Sequence, residues 1–116
     1  MTPVAFHVAA IALPGATLSV QWGDSQVYKV GGKMFAVLGG AVGGGGFSFK
    51  ASEVAFAVLT EAGLARPAPY LARAQWLLIA DLAGQDEAEV VGWLVQAHAL
   101  VAAKLTRRAR AELGLA

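Results

Sequence analysis

Residues 27–38 read VYKVGGKMFAVL, and this stretch decides the fold. Val27 to Val30 and Lys33 to Leu38 are two strand-like runs, separated only by Gly31 and Gly32. A two-residue loop between strands needs backbone with positive φ, which glycine adopts without steric cost. The stretch therefore predicts a tight antiparallel hairpin.

Further strands are predicted on both sides of this hairpin. Thr17 to Trp22 alternates polar and apolar residues strictly, which is typical of a half-buried strand. Phe47 to Lys50 alternates again, and the six glycines within Gly39 to Gly46 predict a flexible connection before it. Trp76 to Ala80 is apolar on both faces and predicts a buried fifth strand. The short links between neighbouring strands indicate an antiparallel meander.

Two helices are predicted around these first four strands. Thr2 can cap a first helix that has Pro3 in its first turn and ends before Pro14. Ser52 can cap a second helix, which Gly63 is expected to end. The spacing predicts that the buried stripe of this second helix consists of Val54, Val58, Leu59 and Ala62.

The last third of the chain predicts a loop and a long helix. Residues 65–69 contain two prolines and are expected to form a loop. Asp86 and Glu89 resemble a capping box that begins a C-terminal helix, either continuous to Gly114 or broken once. The fold class is therefore α+β in one domain, residues 1–116, with an antiparallel sheet of about five strands and packed helices. The core face of the long helix is expected to contain Val90, Leu94, Ala97, Val101 and Leu105.

Composition excludes several classes of protein. The chain is 57% hydrophobic and 15% charged, as ordered globular domains are. It has no cysteine, which excludes disulfides and cysteine-based zinc sites and is compatible with a reducing cytoplasm. No apolar run reaches the ~18 residues of a membrane span, and no signal peptide is expected. The net charge of +1 and the pI near 8.1 argue against tight DNA binding.

No catalytic or metal-binding constellation is found in the sequence. Gly46 is followed by Phe47 rather than by lysine, so the glycine-rich stretch is not a P-loop. His7 has no acidic residue within a helical turn, and His98 is expected at the core boundary with its polar edge in water. Asp81, which follows the late strand, is the one acid whose surroundings merit inspection. We therefore expect no enzymatic activity, no metal and no cofactor.

Basic residues provide the remaining functional signal. Lys104, Arg107 and Arg108 have i, i+3 and i+4 spacing and would share one face of the long helix, where cations also complement the helix dipole. Lys29 and Lys33 flank the hairpin turn, a shape that can contact DNA phosphates, although edge-protecting lysines would look the same. The candidate nucleic-acid-binding residues are Lys29, Lys33, Lys50, Arg73, Lys104, Arg107 and Arg108.

Several segments occur in an order that resembles the MmcQ/YjbR family over nearly the whole chain. They are LPGA at 13–16, GGKMFA at 31–36, FSFK at 47–50, APYLA at 68–72 and LVAAKL at 100–105. The resemblance implies a CyaY-like fold with a curved antiparallel sheet and a double wing of hairpins that contacts DNA. Lys33 and Lys50 stand in the matching motifs, and Trp76 begins the late strand. The iron binding of frataxin-like proteins of this fold needs acids on the first helix, and Thr2 to Leu13 has none.

Two functions from different classes follow from these observations. The first is weak, phosphate-dominated binding of double-stranded DNA in a bacterial cytoplasm, through the hairpin lysines and the C-terminal arginines. The alternative is a non-enzymatic module that binds a small ligand or a protein. Its apolar pocket would lie between sheet and helices and be lined by Tyr70, Trp76 and Trp93. The sequence leaves the oligomeric state open.

Overall fold

The computed structural model of the chain describes residues 1–21, 24–39, 46–69 and 71–115. The predicted turn at Gly23 and most of the predicted glycine-rich connection lie outside these residues. A short 3₁₀ turn, Ala72–Ala74, precedes the last strand. The helices and strands are α1 (Pro3–Ile11), β1 (Ala16–Gln21), β2 (Ser25–Val30), β3 (Lys33–Leu38), β4 (Phe47–Lys50), α2 (Glu53–Glu61), β5 (Arg66–Pro67), β6 (Trp76–Ile79), α3 (Glu87–Ala102) and α4 (Arg107–Glu112).

In the described residues the strands form one antiparallel sheet with the order β1-β2-β3-β4-β6-β5. The first four strands are a meander, as predicted. Gly31 and Gly32 have φ angles of 59° and 78°, and Val30 pairs directly with Lys33. The two-residue hairpin predicted from the sequence is therefore confirmed, with a bulge at Tyr28/Lys29 that shifts its register.

Each helix begins at a side chain that accepts a hydrogen bond from a free backbone N–H three residues on. Thr2 Oγ1 accepts from Ala5 N at 3.1 Å. The same arrangement, with distances of 3.0–3.1 Å, begins α2 at Ser52, α3 at Asp86 and α4 at Thr106. Local sequence thus determines where these four helices start.

The main core lies between the sheet and the helices. Phe6 of α1 packs on Tyr28 and Phe47, with ring centroids 5.8 and 5.4 Å apart. Trp93 of α3 stacks on Phe49 at 5.5 Å with ring planes only 5° apart. The opposite face of the sheet carries a smaller apolar cluster, which consists of Val27, Val37, Ala68, Trp76 and Leu78. The predicted α+β class with a long C-terminal helix is confirmed.

Three details differ from the sequence-based expectations. The buried side of α2 consists of Ala55, Phe56 and Leu59, whereas Val54 and Val58 are exposed. The sequence could not select the stripe because apolar residues surround this helix. Residues 66–67 form a sixth strand inside the expected loop. Proline is tolerated in this strand because it lies at the edge of the sheet.

The third difference concerns β1, which was expected to be half-buried. Its apolar side chains Leu18 and Val20 lie on the helix-bearing side of the sheet, since Leu18 pairs with the core residue Tyr28. Yet Leu18 is 38% and Val20 64% exposed. The strand itself is confirmed, but Leu18 and Val20 are more exposed than the polar Ser19 and Gln21, because β1 lies at the edge of the sheet and the helices leave its apolar side uncovered.

Candidate nucleic-acid interface

The sheet topology brings Lys33 and Lys50 to the same end of the molecule. Lys33 is the first residue of β3, and Lys50 is the last residue of the antiparallel neighbour β4. Lys29 is two residues before the Gly31–Gly32 turn, at this same end. Alternating strand directions therefore gather lysines that are 21 residues apart in sequence.

Lys50 connects this end of the sheet to the segment that contains Arg73. Its ammonium group donates a hydrogen bond to the carbonyl oxygen of Ala74, the residue after Arg73. Lys50 also pairs across the sheet with Trp76, where β6 begins. Arg73 itself is exposed. The 3₁₀ turn thus lies beside the end of β4.

Lys104 reaches the same end through the chain that follows α3. Burial lowers the pKa of Lys50 below its usual value, and the nearby positive charge of Lys104 lowers the pKa further. The next residue, Leu105, is buried against the hairpin turn, and a Cβ placed on Gly31 would lie 2.7 Å from its Cδ1. Two like charges are therefore held close together beside the hairpin.

The last helix, α4, continues from this point and carries Arg107 and Arg108. The prediction that Lys104, Arg107 and Arg108 share one helix face is wrong, because α3 ends at Ala102 and Thr106 caps a new helix. The two arginines begin a helix instead of ending one, so the helix dipole does not explain their positive charge. Arg110 was not among the predicted site residues, although its Nε is buried without a hydrogen-bond partner in the described part of the chain.

We refer to the seven residues Lys29, Lys33, Lys50, Arg73, Lys104, Arg107 and Arg108 as the basic end. Within the described ranges, the ion pair that involves them joins Arg108 Nε to Glu112 Oε1 at 3.2 Å, and both side chains are largely exposed. An exposed pair of this kind is worth little and breaks easily. No other ion pair of these seven residues is found in that part of the structure.

Acidic residues collect at the opposite end. Five of the eight acids lie where β2 begins, where β6 has ended and where α3 begins: Asp24, Asp81, Asp86, Glu87 and Glu89. A six-residue strand spans about 20 Å and a 16-residue helix about 24 Å. The basic and the acidic residues are therefore separated by about 20 Å along the strands. The net charge of +1 therefore conceals a strong separation of charge along the strands.

The two tryptophans of the alternative pocket do not meet. Trp76 belongs to the smaller cluster on one face of the sheet, whereas Trp93 stacks on Phe47 and Phe49 on the opposite, helix-bearing face. Tyr70 lies outside the described residues. The expectation of one pocket lined by these three side chains is therefore wrong for the two tryptophans. A shallow depression of about 240 Å³ lies elsewhere, lined by Gly63, Leu64, Ala65, Arg66, Leu78 and Ala80.

Both histidines have structural partners. His98 Nε2 donates to Pro14 O at 2.6 Å, and its ring packs edge-on against Phe35. His98 is therefore buried, and the expectation that its polar edge faces water is wrong. His7 Nδ1 lies 2.9 Å from the Tyr28 hydroxyl, which donates to Gln26 Oε1 at 3.2 Å. Burial raises the pKa of Tyr28 to about 12. Asp81 is exposed, and its backbone oxygen accepts from Gln85 Nε2.

Within residues 1–21, 24–39, 46–69 and 71–115, no group of three or more histidine, aspartate or glutamate side chains is arranged to hold a metal ion. Among the helices within those residues, none is both long enough and apolar enough to cross a membrane.

Comparison with known proteins agrees with the fold. The sequence model of the YjbR family matches residues 11–100. The chain belongs to the YjbR family. The crystal structure of Deinococcus radiodurans protein DR2400, a DUF419 domain, matches with a TM-score of 0.80 and 23% identity over 95% of this chain and 86% of that chain. At this identity the likeness establishes the fold alone. A search of curated proteins finds no match.

Proposed function

We propose that this YjbR-family protein is a non-enzymatic DNA-binding protein that binds double-stranded DNA weakly through its basic end. The observation that carries the proposal is the gathering of seven basic residues at one end of the sheet, from four separate parts of the chain. The family resemblance in sequence points to the same partner. We assign the activity to the bacterial cytoplasm, where a chain without cysteine needs no oxidising conditions.

The contacts would be made to phosphates. Lys50 and Lys104 repel each other in the free protein, and an anion between them relieves that repulsion. The lysines and arginines of the basic end are mostly exposed, so they can reach a backbone without rearranging the core. Phosphate contacts position a protein on DNA but carry no sequence information, so low sequence specificity is expected.

The acidic residues at the opposite end of the protein favour one orientation of the protein on DNA. Negative side chains about 20 Å from the basic end repel the phosphate backbone and oppose any approach from that side. DNA would therefore meet the Gly31–Gly32 turn and the start of α4 first. The β2–β3 hairpin, with Lys29 and Lys33 at its tip, corresponds to one wing of the arrangement that the resemblance implies.

Two variants that each remove one exposed positive charge test this proposal. Lys33→Gln changes the basic end, and Arg66→Gln changes the edge strand β5. In fluorescence anisotropy with a short DNA duplex, Lys33→Gln is expected to reduce the salt slope of binding by about 1, because one phosphate contact is lost. Arg66→Gln should leave the slope unchanged. Equal effects of the two variants would show that net charge, and not the basic end, determines binding.

A further inference from the structure

The two edges of the sheet differ in how they are protected. The β5 edge is only two residues long and consists of an arginine and a proline, both of which discourage pairing with another strand. The β1 edge is six residues long and contains no lysine, proline or charged residue. Within the described residues β1 pairs on one side only, with β2. Its other side therefore offers a row of backbone N–H and C=O groups.

The side chains around this edge are apolar or neutral. Leu18 and Val20 are substantially exposed beside α1, whose Val4 and Val8 are 73% and 59% exposed one turn apart. Residues 1–21 contain no aspartate, glutamate, lysine or arginine. A partner with a strongly charged surface would find no opposite charge here. A second copy of the same surface meets it without like-charge repulsion.

We propose that β1 is a homodimer interface, in which two copies pair their β1 strands antiparallel about a two-fold axis. The separation of charge along the strands favours a second copy as the partner. Antiparallel pairing places the basic end of one copy beside the five acids at the opposite end of the other copy. A two-fold arrangement also closes, so that each copy uses its one unprotected edge. The resulting sheet runs from the β5 edge of one copy to the β5 edge of the other, and both remaining edges are protected.

The alternation of side chains restricts the register. Directly opposed residues of antiparallel strands point to the same face of a sheet. In the combined sheet, the helices of both copies therefore lie on one face only if Leu18 opposes a residue of the apolar row, which consists of Leu18 and Val20. With Ser19 on the axis, Leu18 opposes Val20 of the partner subunit and Val20 opposes Leu18 of the partner subunit. Thr17 then opposes the partner's Gln21, which pairs the polar row with itself.

Light scattering on the purified full chain, without DNA, tests the interface. The unmodified protein is expected to be a dimer at high micromolar concentration and to dissociate on dilution. Val20→Lys should weaken dimerisation at least tenfold, whereas Val54→Lys, which changes a similarly exposed valine on α2, should not. A protein that stays monomeric at every concentration, or a Val20→Lys variant that dimerises normally, would overturn the proposal.

A cysteine cross-link tests the register and does not depend on how Val20→Lys folds. Because the chain has no cysteine, Ser19→Cys introduces its only thiol. Residues that oppose each other across the axis lie within disulfide distance. Mild oxidation should therefore convert Ser19→Cys to a covalent dimer far more completely than Ala57→Cys on the exposed side of α2. Equal cross-linking of both variants contradicts β1 pairing, and neither result depends on whether the protein binds DNA.

Discussion

At the scale of single residues, Lys50 links the parts of the basic end. Its ammonium group contacts the carbonyl oxygen of Ala74, and its pKa responds to burial first and to Lys104 second. Sequence motifs single out Lys50, because it ends an alternating strand. No sequence pattern places Lys104 beside it, since the two residues are 54 positions apart and meet only when the α3–α4 connection packs on the hairpin.

Removing the charge of Lys104 should therefore raise the pKa of Lys50. The Lys104→Gln variant is expected to move that pKa upward but not to the usual 10.5, because burial is the larger cause and remains. An NMR titration that follows the Lys50 side chain measures the change, with Arg66→Gln as a control that removes a distant charge. A pKa of Lys50 that is equal in Lys104→Gln and in the unmodified protein would contradict the proximity of the two charges.

At the scale of elements, the hairpin turn and the α3–α4 connection form one packed unit. Gly31 and Gly32 both need positive φ, but only Gly31 has a neighbour in contact distance. That neighbour is Leu105, which is 8% exposed and follows Lys104. The position of the α3–α4 connection, and of Lys104 in it, thus depends on the packing of Leu105 against Gly31, which has no side chain.

The two glycines provide a matched pair of substitutions. Gly32→Ala should lower the free energy of unfolding by about 1 kcal/mol, the cost of a left-handed alanine. Gly31→Ala should cost about 1–3 kcal/mol more, because Leu105 must move away from the new methyl group. Urea denaturation measures both values. Equal losses would mean that the connection does not pack on the turn.

Local signals predicted most elements correctly, and tertiary effects account for the differences. Caps at Thr2, Ser52 and Asp86 and the Gly31–Gly32 turn act through neighbouring backbone, so the sequence alone specifies them. The buried side of α2 could not be predicted, because its apolar residues surround the helix. Thr106 is a residue type that caps helices and so indicates a second helix start. The helical spacing of apolar residues continues through Leu105, however, and this pattern favours one uninterrupted helix.

At the scale of the whole molecule, the arrangement of charge matters more than its sum. The net charge of +1 and the near-neutral pI argue against DNA binding only if the charges are mixed evenly over the surface. The fold instead directs seven of the nine basic residues to one end and five of the eight acids to the other. This separation could not be read from the sequence, because it requires the strand order and the direction of α3.

The most direct test of this account is the binding of the unmodified protein to a short labelled DNA duplex, followed by fluorescence anisotropy at several salt concentrations. We predict a micromolar Kd at low salt, with the logarithm of the binding constant falling linearly with the logarithm of salt concentration. A slope of about −3 or steeper is expected, since each phosphate contact contributes about −0.9. The absence of binding at low salt, or an affinity that does not change with salt, would contradict a basic end that contacts DNA phosphates.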